Sequence, residues 1–407
     1  MKIVVLGTRG FPQIQGGVEA HCENLYPRLV KIGCEVTVFG RAPYLEQCKK
    51  GDSPQSAGTV PFFYQGVKIS PLSCPKNKFL EAFVHTFKGI FAAKKLKPDI
   101  LHIHAIGPSL CVPFARMLGL KVVMTHHGPD YERKKWNAFA KGILKLGEKW
   151  GVRYANQVIT ISNTIAGQIT AKYGRKAVII PNGVAIPQIL ESEESLKKFG
   201  LEKGKYVLAV GRFVPEKGFE DLMEAWKIAS APTAPRNDTR GRAPGNDTGA
   251  VGHGNDKGVE WKLVIVGDAD HEDEYSRKLK EKAKGVRNVV LTGFLSGQPL
   301  AELYSHAGLF VLPSYYEGLP IVLLEAMSYG LSCVVSDIHA NREVALTNER
   351  YFKPGNIEEL AKKINEFVNK PLTKEENDVQ RELIANNYNW DKIAEQTLAV
   401  YKSVVNK

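Results

Sequence analysis

Two glutamates, Glu317 and Glu325, are separated by seven residues and bracket the run Gly318-Leu319-Pro320-Ile321 inside Tyr315–Gly330. A strand-like run, Leu309 to Leu312, precedes this turn, and a helix-like run follows it. Pro320 suits the first helical position, where its missing N–H costs nothing. The amides of Gly318 to Ile321 then lie at a helix start, where backbone donors and the helix dipole favour an anion. Glu325 follows Pro320 by five residues, about 7–8 Å along the axis at 1.5 Å per residue. That is close to the step from a diphosphate to the hydroxyls of a ribose. The stretch reads as a nucleotide-diphosphate site with a carboxylate at each end.

Other residues have types and positions that suit the same ligand. Arg212 and Lys217 follow the strand-like Tyr206 to Val210. Such a pair clamps a diphosphate, Arg by its bidentate fork and Lys as a point charge; two surface cations fit the same spacing. Gly16 and Gly17 stand directly before a helix and let backbone approach a phosphate or sugar closely, although a plain turn explains them equally. His127, Gly128 and Asp130 follow strand 121–125, and ligands of open α/β sheets bind at such strand ends. A histidine there serves as donor to a sugar hydroxyl or a leaving phosphate, or as a structural residue. His102, His104, His126 and His127 include an HxH pair, but no nearby Cys or carboxylate completes a ligand set, so no metal is expected. Asp268 and Asp270 form an Asp-x-Asp that fits the acidic first turn of a helix better than a metal site.

These residues require a scaffold, and the chain supplies an alternation of strands and helices. It begins with strand 2–6, loop 7–17, helix 18–31 and strand 35–39, a βαβ unit with parallel strands. The first loop is too long for a GxGxxG dinucleotide turn, and Arg41 stands where a ribose-binding acid belongs, which argues against a dehydrogenase. Phe79, Leu80, Phe83, Phe87, Ile90 and Phe91 recur at helical spacing among Lys76, Lys78, Lys88, Lys94 and Lys95. A helix packed on the sheet with a basic outer face and a membrane-surface helix both fit. Arg133-Lys134-Lys135-Trp136 is a second basic cluster. The first half closes at Pro181-Asn182-Gly183-Val184, and the pattern restarts at Tyr206. Residues 231–258, rich in Gly, Pro, Asn, Asp and Thr, repeat Asn-Asp at 237, 246 and 255. They are expected to be a disordered insert with too little apolar content to bury a core. The expected domains are 1–184, together with a C-terminal helix in 390–407, and 185–389.

Composition narrows the class. The chain has 407 residues, 43% hydrophobic and 24% charged, as expected for a two-domain globular protein. No apolar run reaches the roughly 18–20 residues of a membrane span. The start MKIVVLGTRG reads as a first strand and not a signal peptide. The six cysteines show no CxxC pair, so a reduced cytoplasmic protein is expected. Residues 1–190 hold 26 Lys and Arg against 10 Asp and Glu; the other 29 and 33 lie in 191–407, leaving the halves at +16 and −4. The basic half is expected to face something anionic, a membrane surface or a phosphorylated substrate, and not nucleic acid, for which no motif is present.

In order and spacing, GTRGFPQIQGGVEAHCENL, THHGPD, PNGV, GRFVPEKG and YEGLPIVLLEAMSYG resemble the family 4 glycosyltransferases. The first of these is similar to a rhamnosyltransferase-like subgroup of surface polysaccharide synthesis. The resemblance covers nearly the whole chain outside 231–258. It implies the α/β fold called GT-B: two Rossmann-like domains facing across a cleft, with the C-terminal helix crossing back to the first. It implies retaining transfer of a hexose, or a deoxyhexose such as rhamnose, from a nucleotide-diphosphate sugar to a hydroxyl of a glycan or lipid-linked acceptor. By the same resemblance Arg212 and Lys217 hold the diphosphate and Glu325 the ribose. Glu317 and His127 contact the donor sugar, the amides of Gly318, Leu319, Pro320 and Ile321 hold sugar or phosphate, Gly16 and Gly17 close over the phosphates, and Phe294 lines the base. No tightly bound cofactor and no essential metal are implied. A place in the cytoplasm, peripheral on the inner face of the membrane, is implied in addition. A non-catalytic sugar-nucleotide binder and a GT-B epimerase are the alternatives on the same fold.

Overall fold

The computed structural model describes residues 1–45, 60–75, 80–132, 136–231, 260–269 and 272–406. Residues 232–258 of the expected insert, the cluster Arg133 to Lys135, Lys76, Lys78, Phe79 and Asp270 lie outside them.

The central strands Lys2–Leu6, Tyr206–Val210, Lys262–Val266 and Leu309–Leu312 are short apolar runs without polar alternation, the mark of parallel strands covered on both faces. The first eight strands are β1 (Lys2–Leu6), β2 (Glu35–Arg41), β3 (Phe62–Tyr64), β4 (Val67–Leu72), β5 (Ile100–His104), β6 (Val122–His126), β7 (Gln157–Thr160) and β8 (Val178–Ile179). They form one sheet in the order β3-β4-β2-β1-β5-β6-β7-β8, parallel except for the antiparallel pair β3/β4. The second set is β9 (Tyr206–Val210), β10 (Lys262–Val266), β11 (Val289–Gly293), β12 (Leu309–Leu312), β13 (Cys333–Ser336) and β14 (Tyr351–Phe352). These form a sheet in the order β11-β10-β9-β12-β13-β14. Both sheets have the doubly wound order, which reverses direction beside the first strand of each. The switch points, β1/β5 and β9/β12, open crevices at the carboxyl ends of the strands, where ligands bind in such sheets.

The final helix, Trp390–Val405, packs against helix Gly17–Lys31 on the side of the first sheet. Its buried Trp390, Ile393, Tyr401 and Val404 join Ile3, Leu25 and Val36 in one core. Lys121 donates to the last carbonyls of this helix, 2.7 Å from Val405 O, where a cation also suits the dipole. The return crossing runs beside the outward one: Val184 pairs with Asn389 in a parallel bridge, and Val184 N donates to Tyr388 O at 2.8 Å. Both passages between the sheets are therefore tied at one place. A second tie lies at Glu343, whose carboxylate accepts from the amides of Asn163 and Thr164, each at 2.8 Å. A carboxylate from one sheet's side thus caps a helix start on the other's.

Phe83, Phe87 and Phe91 of the aromatic stripe lie on the outer face of their helix, while Ile90 lies on the buried one. In helix Glu81–Leu96 the residues turned to the sheet are His85, Thr86, Gly89, Ile90 and Ala93. Gly89 lets the helix lie against Leu6, whose side chain approaches within 2.3 Å of where a Cβ would stand. Phe83, Phe87 and Phe91 stay 39–46% exposed, and their rings contact each other and Phe114. A stripe of large rings at helical spacing was insufficient to identify the core face, because the close approach is made by small residues.

Candidate active site

The turn after β12 begins where the sheet reverses. Ser314 Oγ donates to Glu317 Oε1 at 2.6 Å, and Lys217 Nζ lies 2.5 Å from the same oxygen. Lys217 ends a one-turn helix, Pro215–Lys217, just beyond β9. Gly218 then takes φ +67°, and a Cβ there would stand 2.3 Å from Pro313 O at the end of β12. Glycine is thus needed twice, for backbone hand and for space, and it seats Lys217 against the Glu317 turn. Arg212, half-buried, stands at the end of β9, two residues after Val210. The diphosphate candidates and Glu317 converge at the β9/β12 switch point.

Helix Ile321–Ser328 has Pro320 as its N-cap, so it begins one residue later than the sequence predicts, and no side chain caps it. Glu325 lies on this helix, half-buried, with Tyr304 Oη donating to its Oε2 at 3.0 Å. Burial pushes the Glu325 carboxyl up to about 7, and the Tyr304 hydrogen bond opposes that rise. A carboxylate this poorly solvated gains more than usual from hydroxyl donors such as those of a ribose. Leu319 is buried. Phe294, beyond β11, is 42% exposed.

The loop after β6 meets this turn directly. A Cβ on Gly318 would stand 2.2 Å from His127 O and 3.3 Å from Ile161 Cδ1. A Cβ on Gly128, at φ +134°, would stand 2.6 Å from Tyr316 Oη. Only glycines allow the two sheets' loops to touch here. Asn182, of the expected Pro-Asn-Gly turn, spans the same contact: its Oδ1 lies 2.9 Å from His21 Nδ1, and its Nδ2 donates to Leu319 O at 3.4 Å.

On the far side of the crevice, helix Gly17–Lys31 begins with Gly16 as its N-cap and without a side-chain cap. Gly16 has φ +153°, and a Cβ there would collide with Glu19 Oε2 and Arg9 Nη2. That pair is an ion pair of 3.1 Å. The burial of Glu19 raises its pKa, but Arg9 outweighs it, so the carboxyl lies below its ordinary value. Gly17 has nothing within 4 Å of its Cβ direction, so the space it leaves faces outward from the protein's own packing. The loop reaches the other sheet: Gln15 Nε2 lies 3.6 Å from a Cβ position on Gly267, beside Gly211 O.

The histidines divide by role. His126 Nε2 lies 2.9 Å from Glu148 Oε1, and its Nδ1 accepts from Gly128 N at 3.1 Å, so it braces the His127–Gly128 turn. Burial raises the Glu148 carboxyl, but His126 and Tyr173 donate to it and bring it down to about 2. His102 and His104 point into the core. His21, His104 and His127 bring ring nitrogens within 4.8 Å of one another, a spacing compatible with a metal ion. His104 Nδ1 and His127 Nε2 are hydrogen-bonded directly to each other at 2.9 Å. Asp268 is paired with Lys280 at 2.9 Å, and the acidic helix start falls later, at the N-cap Asp273. Ser314, Tyr304, Asn182, Gln15 and Tyr316 do not stand out in the sequence by spacing. Gln15, Asn182 and Tyr316 lie inside the recognised motifs and Ser314 directly beside one, which is the signal that offered them; Tyr304 had none.

The sequence matches the profile of Glycosyltransferase Family 4 over residues 15–186 and that of Glycosyl transferases group 1 over 191–390. An uncharacterized glycosyltransferase of Methanocaldococcus jannaschii is 27% identical, covering 99% of this chain and 98% of its own. The UDP-Gal:alpha-D-GlcNAc-diphosphoundecaprenol alpha-1,3-galactosyltransferase of Escherichia coli is 27% identical over 61% of this chain and 60% of its own. Among solved structures, Anabaena Alr3699/HepE in complex with UDP-glucose superposes with a TM-score of 0.73 at 18% identity, covering 99% of this chain and all of that one. Two glycosyltransferase profiles account for most of the chain, and the fold is GT-B; the chain belongs to the family 4 glycosyltransferases.

Proposed function

We propose that this family 4 glycosyltransferase carries out retaining transfer of a hexose, or a deoxyhexose such as rhamnose, from a nucleotide-diphosphate sugar to a hydroxyl of a glycan or lipid-linked acceptor, in cell-surface polysaccharide synthesis. The observation that carries this is the convergence of Lys217 and Glu317 at the β9/β12 switch point, opposite the His127–Gly128 loop that touches Gly318. A donor lies with its ribose at Glu325 and its diphosphate at Arg212, Lys217 and the amides of Gly318 to Ile321. Gly16 and Gly17 bring the uncapped start of their helix over the phosphates from the opposite side.

Lys217 exchanges part of its pairing with Glu317 for the phosphate when the donor binds. As the bond from the anomeric carbon to phosphate oxygen breaks, Arg212 and Lys217 take up charge on the leaving diphosphate. Such preorganised groups are typically worth about 100- to 1,000-fold in rate each. Glu317 faces the positive charge that develops on the sugar ring, and His127 holds a sugar hydroxyl. The acceptor hydroxyl attacks from the face the phosphate leaves and gives its proton to the departing phosphate oxygen, so the α configuration is kept. Two cationic side chains do the work a divalent ion does elsewhere, so no metal is assigned. Support for the lipid-linked acceptor comes from the name of the Escherichia coli relative, and for a UDP-sugar donor from the HepE complex.

No helix of the described residues is long and apolar enough to cross a membrane. The acceptor-side unit nevertheless presents Phe83, Phe87 and Phe91 on one helix and Phe139, Ile143 and Leu146 on another as exposed apolar residues, among Lys88, Lys141 and Lys145. With the +16 of residues 1–190, this face suits peripheral docking on an anionic cytoplasmic leaflet.

The test follows the anomeric proton of product by NMR with a lipid-linked glycan acceptor. An α product from an α donor is expected, with Glu317→Ala losing most turnover; a β product overturns retention. Donor isomerised with no acceptor present identifies an epimerase instead.

A further inference from the structure

A line of hydrogen bonds runs from the cleft through the interior of the first sheet to the C-terminal helix. His127 Nε2 lies 2.9 Å from His104 Nδ1. His104 Nε2 lies 2.5 Å from Tyr26 Oη. Two hydroxyls lie against His102 Nδ1, Tyr26 at 3.0 Å and Tyr401 at 2.6 Å, while its Nε2 lies 2.7 Å from Thr125 Oγ1. Tyr26, His102, His104 and Tyr401 are wholly buried.

The protons on this line can be counted. Burial holds His102 at about 3 and His104 and His127 well below the ordinary value. It holds Tyr26 and Tyr401 well above theirs. Each ring therefore carries one N–H, and each phenol keeps its proton. With His102 Nδ1 as the lone pair, the nearer hydroxyl, Tyr401, occupies it, and the Tyr26 proton goes to its other ring partner, His104 Nε2. His104 must then be the Nδ1–H tautomer and donate to His127 Nε2, which leaves Nδ1–H on His127.

We propose that Tyr401, carried back to the first sheet by the C-terminal helix, fixes the tautomer of His127 through Tyr26 and His104, so that His127 offers an N–H donor and not a lone pair to the donor sugar. Tyr401 is a positioning residue, 274 positions away in the chain from the ring it controls. The tautomer of a histidine is set by what its other nitrogen bonds, and here that control originates in the element that closes the GT-B architecture. The inference uses the donor-sugar site proposed above only for its consequence; the tautomer itself is independent of it.

The test is two-bond proton–nitrogen correlation NMR on the full chain with ¹⁵N-labelled histidine, the His127 signals being assigned by their loss in His127→Gln. In the wild type, His127 and His104 are expected as Nδ1–H tautomers. In Tyr401→Phe the Tyr26 hydroxyl is released to His102, and a population of His127 with Nε2–H is expected. The same variant should lower kcat about tenfold or more with little change in donor KM. An Nε2–H form of His127 in the wild type overturns the proposal even if the variant fails to fold, and so does an unchanged His127 spectrum in a folded Tyr401→Phe. A His127 tautomer that shifts in Tyr401→Phe while activity stays full would overturn the role the proposal gives this N–H at the donor sugar.

Discussion

Replacing Glu325 with glutamine should strengthen the fold and weaken the site. Burial raises this carboxyl from 4.5 to about 7. In the unfolded chain it ionises near its ordinary value, so the folded state holds the proton more tightly. The contribution to stability is present below about pH 4.5 and is lost as pH rises through about 7. Each pH unit between those values is worth about 1.4 kcal/mol, which gives about 3 kcal/mol as the upper cost of the ionised carboxyl at pH 8. The carboxyl is half-buried, and residual water brings the expected gain for Glu325→Gln nearer 1–2 kcal/mol. The gain should shrink toward zero at pH 5. Tyr304→Phe removes the hydroxyl that opposes the rise, so it should steepen the loss of stability with pH. With donor present the sign reverses. A carboxylate accepts from two ribose hydroxyls where an amide oxygen does so weakly, and losing charge-assisted bonds of about 1.5–3 kcal/mol weakens binding about 10- to 150-fold. Urea unfolding at pH 5, 7 and 8, with and without nucleotide, measures both arms. A Glu325→Gln protein less stable than wild type at pH 8, or equally altered at every pH, would refute the reasoning.

Two further perturbations test separate parts of the account. Gly318→Val should obstruct the contact with His127 O and hold the two sheets' loops apart, lowering kcat at least tenfold while donor affinity, which rests on the β9/β12 side, changes less; wild-type kcat would remove the loop contact from the mechanism. Phe87→Ser together with Phe139→Ser should abolish flotation with vesicles containing anionic lipid and leave turnover on a short soluble acceptor unchanged; equal binding to neutral and anionic vesicles would remove the membrane face.

Much of this architecture can be read in the sequence because parallel strands buried on both faces are apolar runs. Tyr206 to Val210 and Leu309 to Leu312 need no partner to be recognised. The Lys217–Glu317 pair was within reach because each residue lies in a recognisable motif, although the two are 100 positions apart. The relay behind His127 was not. Tyr26 and Tyr401 carry no mark in their own helices, and their partners lie 76 to 299 positions away. The aromatic stripe misled for a related reason: which face of a helix meets a sheet depends on how closely the backbones approach, and small residues leave only a faint periodic signal. The Pro320 position shifted by one residue because a proline fits both the N-cap and the first turn.

The account rests on a nucleotide-diphosphate site that holds its ligand through Lys217 at the β9/β12 crevice without a metal ion. Calorimetric titration of wild type and Lys217→Ala with UDP, GDP and dTDP, all in EDTA, tests it most directly. The expected result is binding of at least one nucleotide to the wild type, weakened tenfold or more in the variant. Failure of all three to bind without added metal, or equal affinity in the variant, would contradict it.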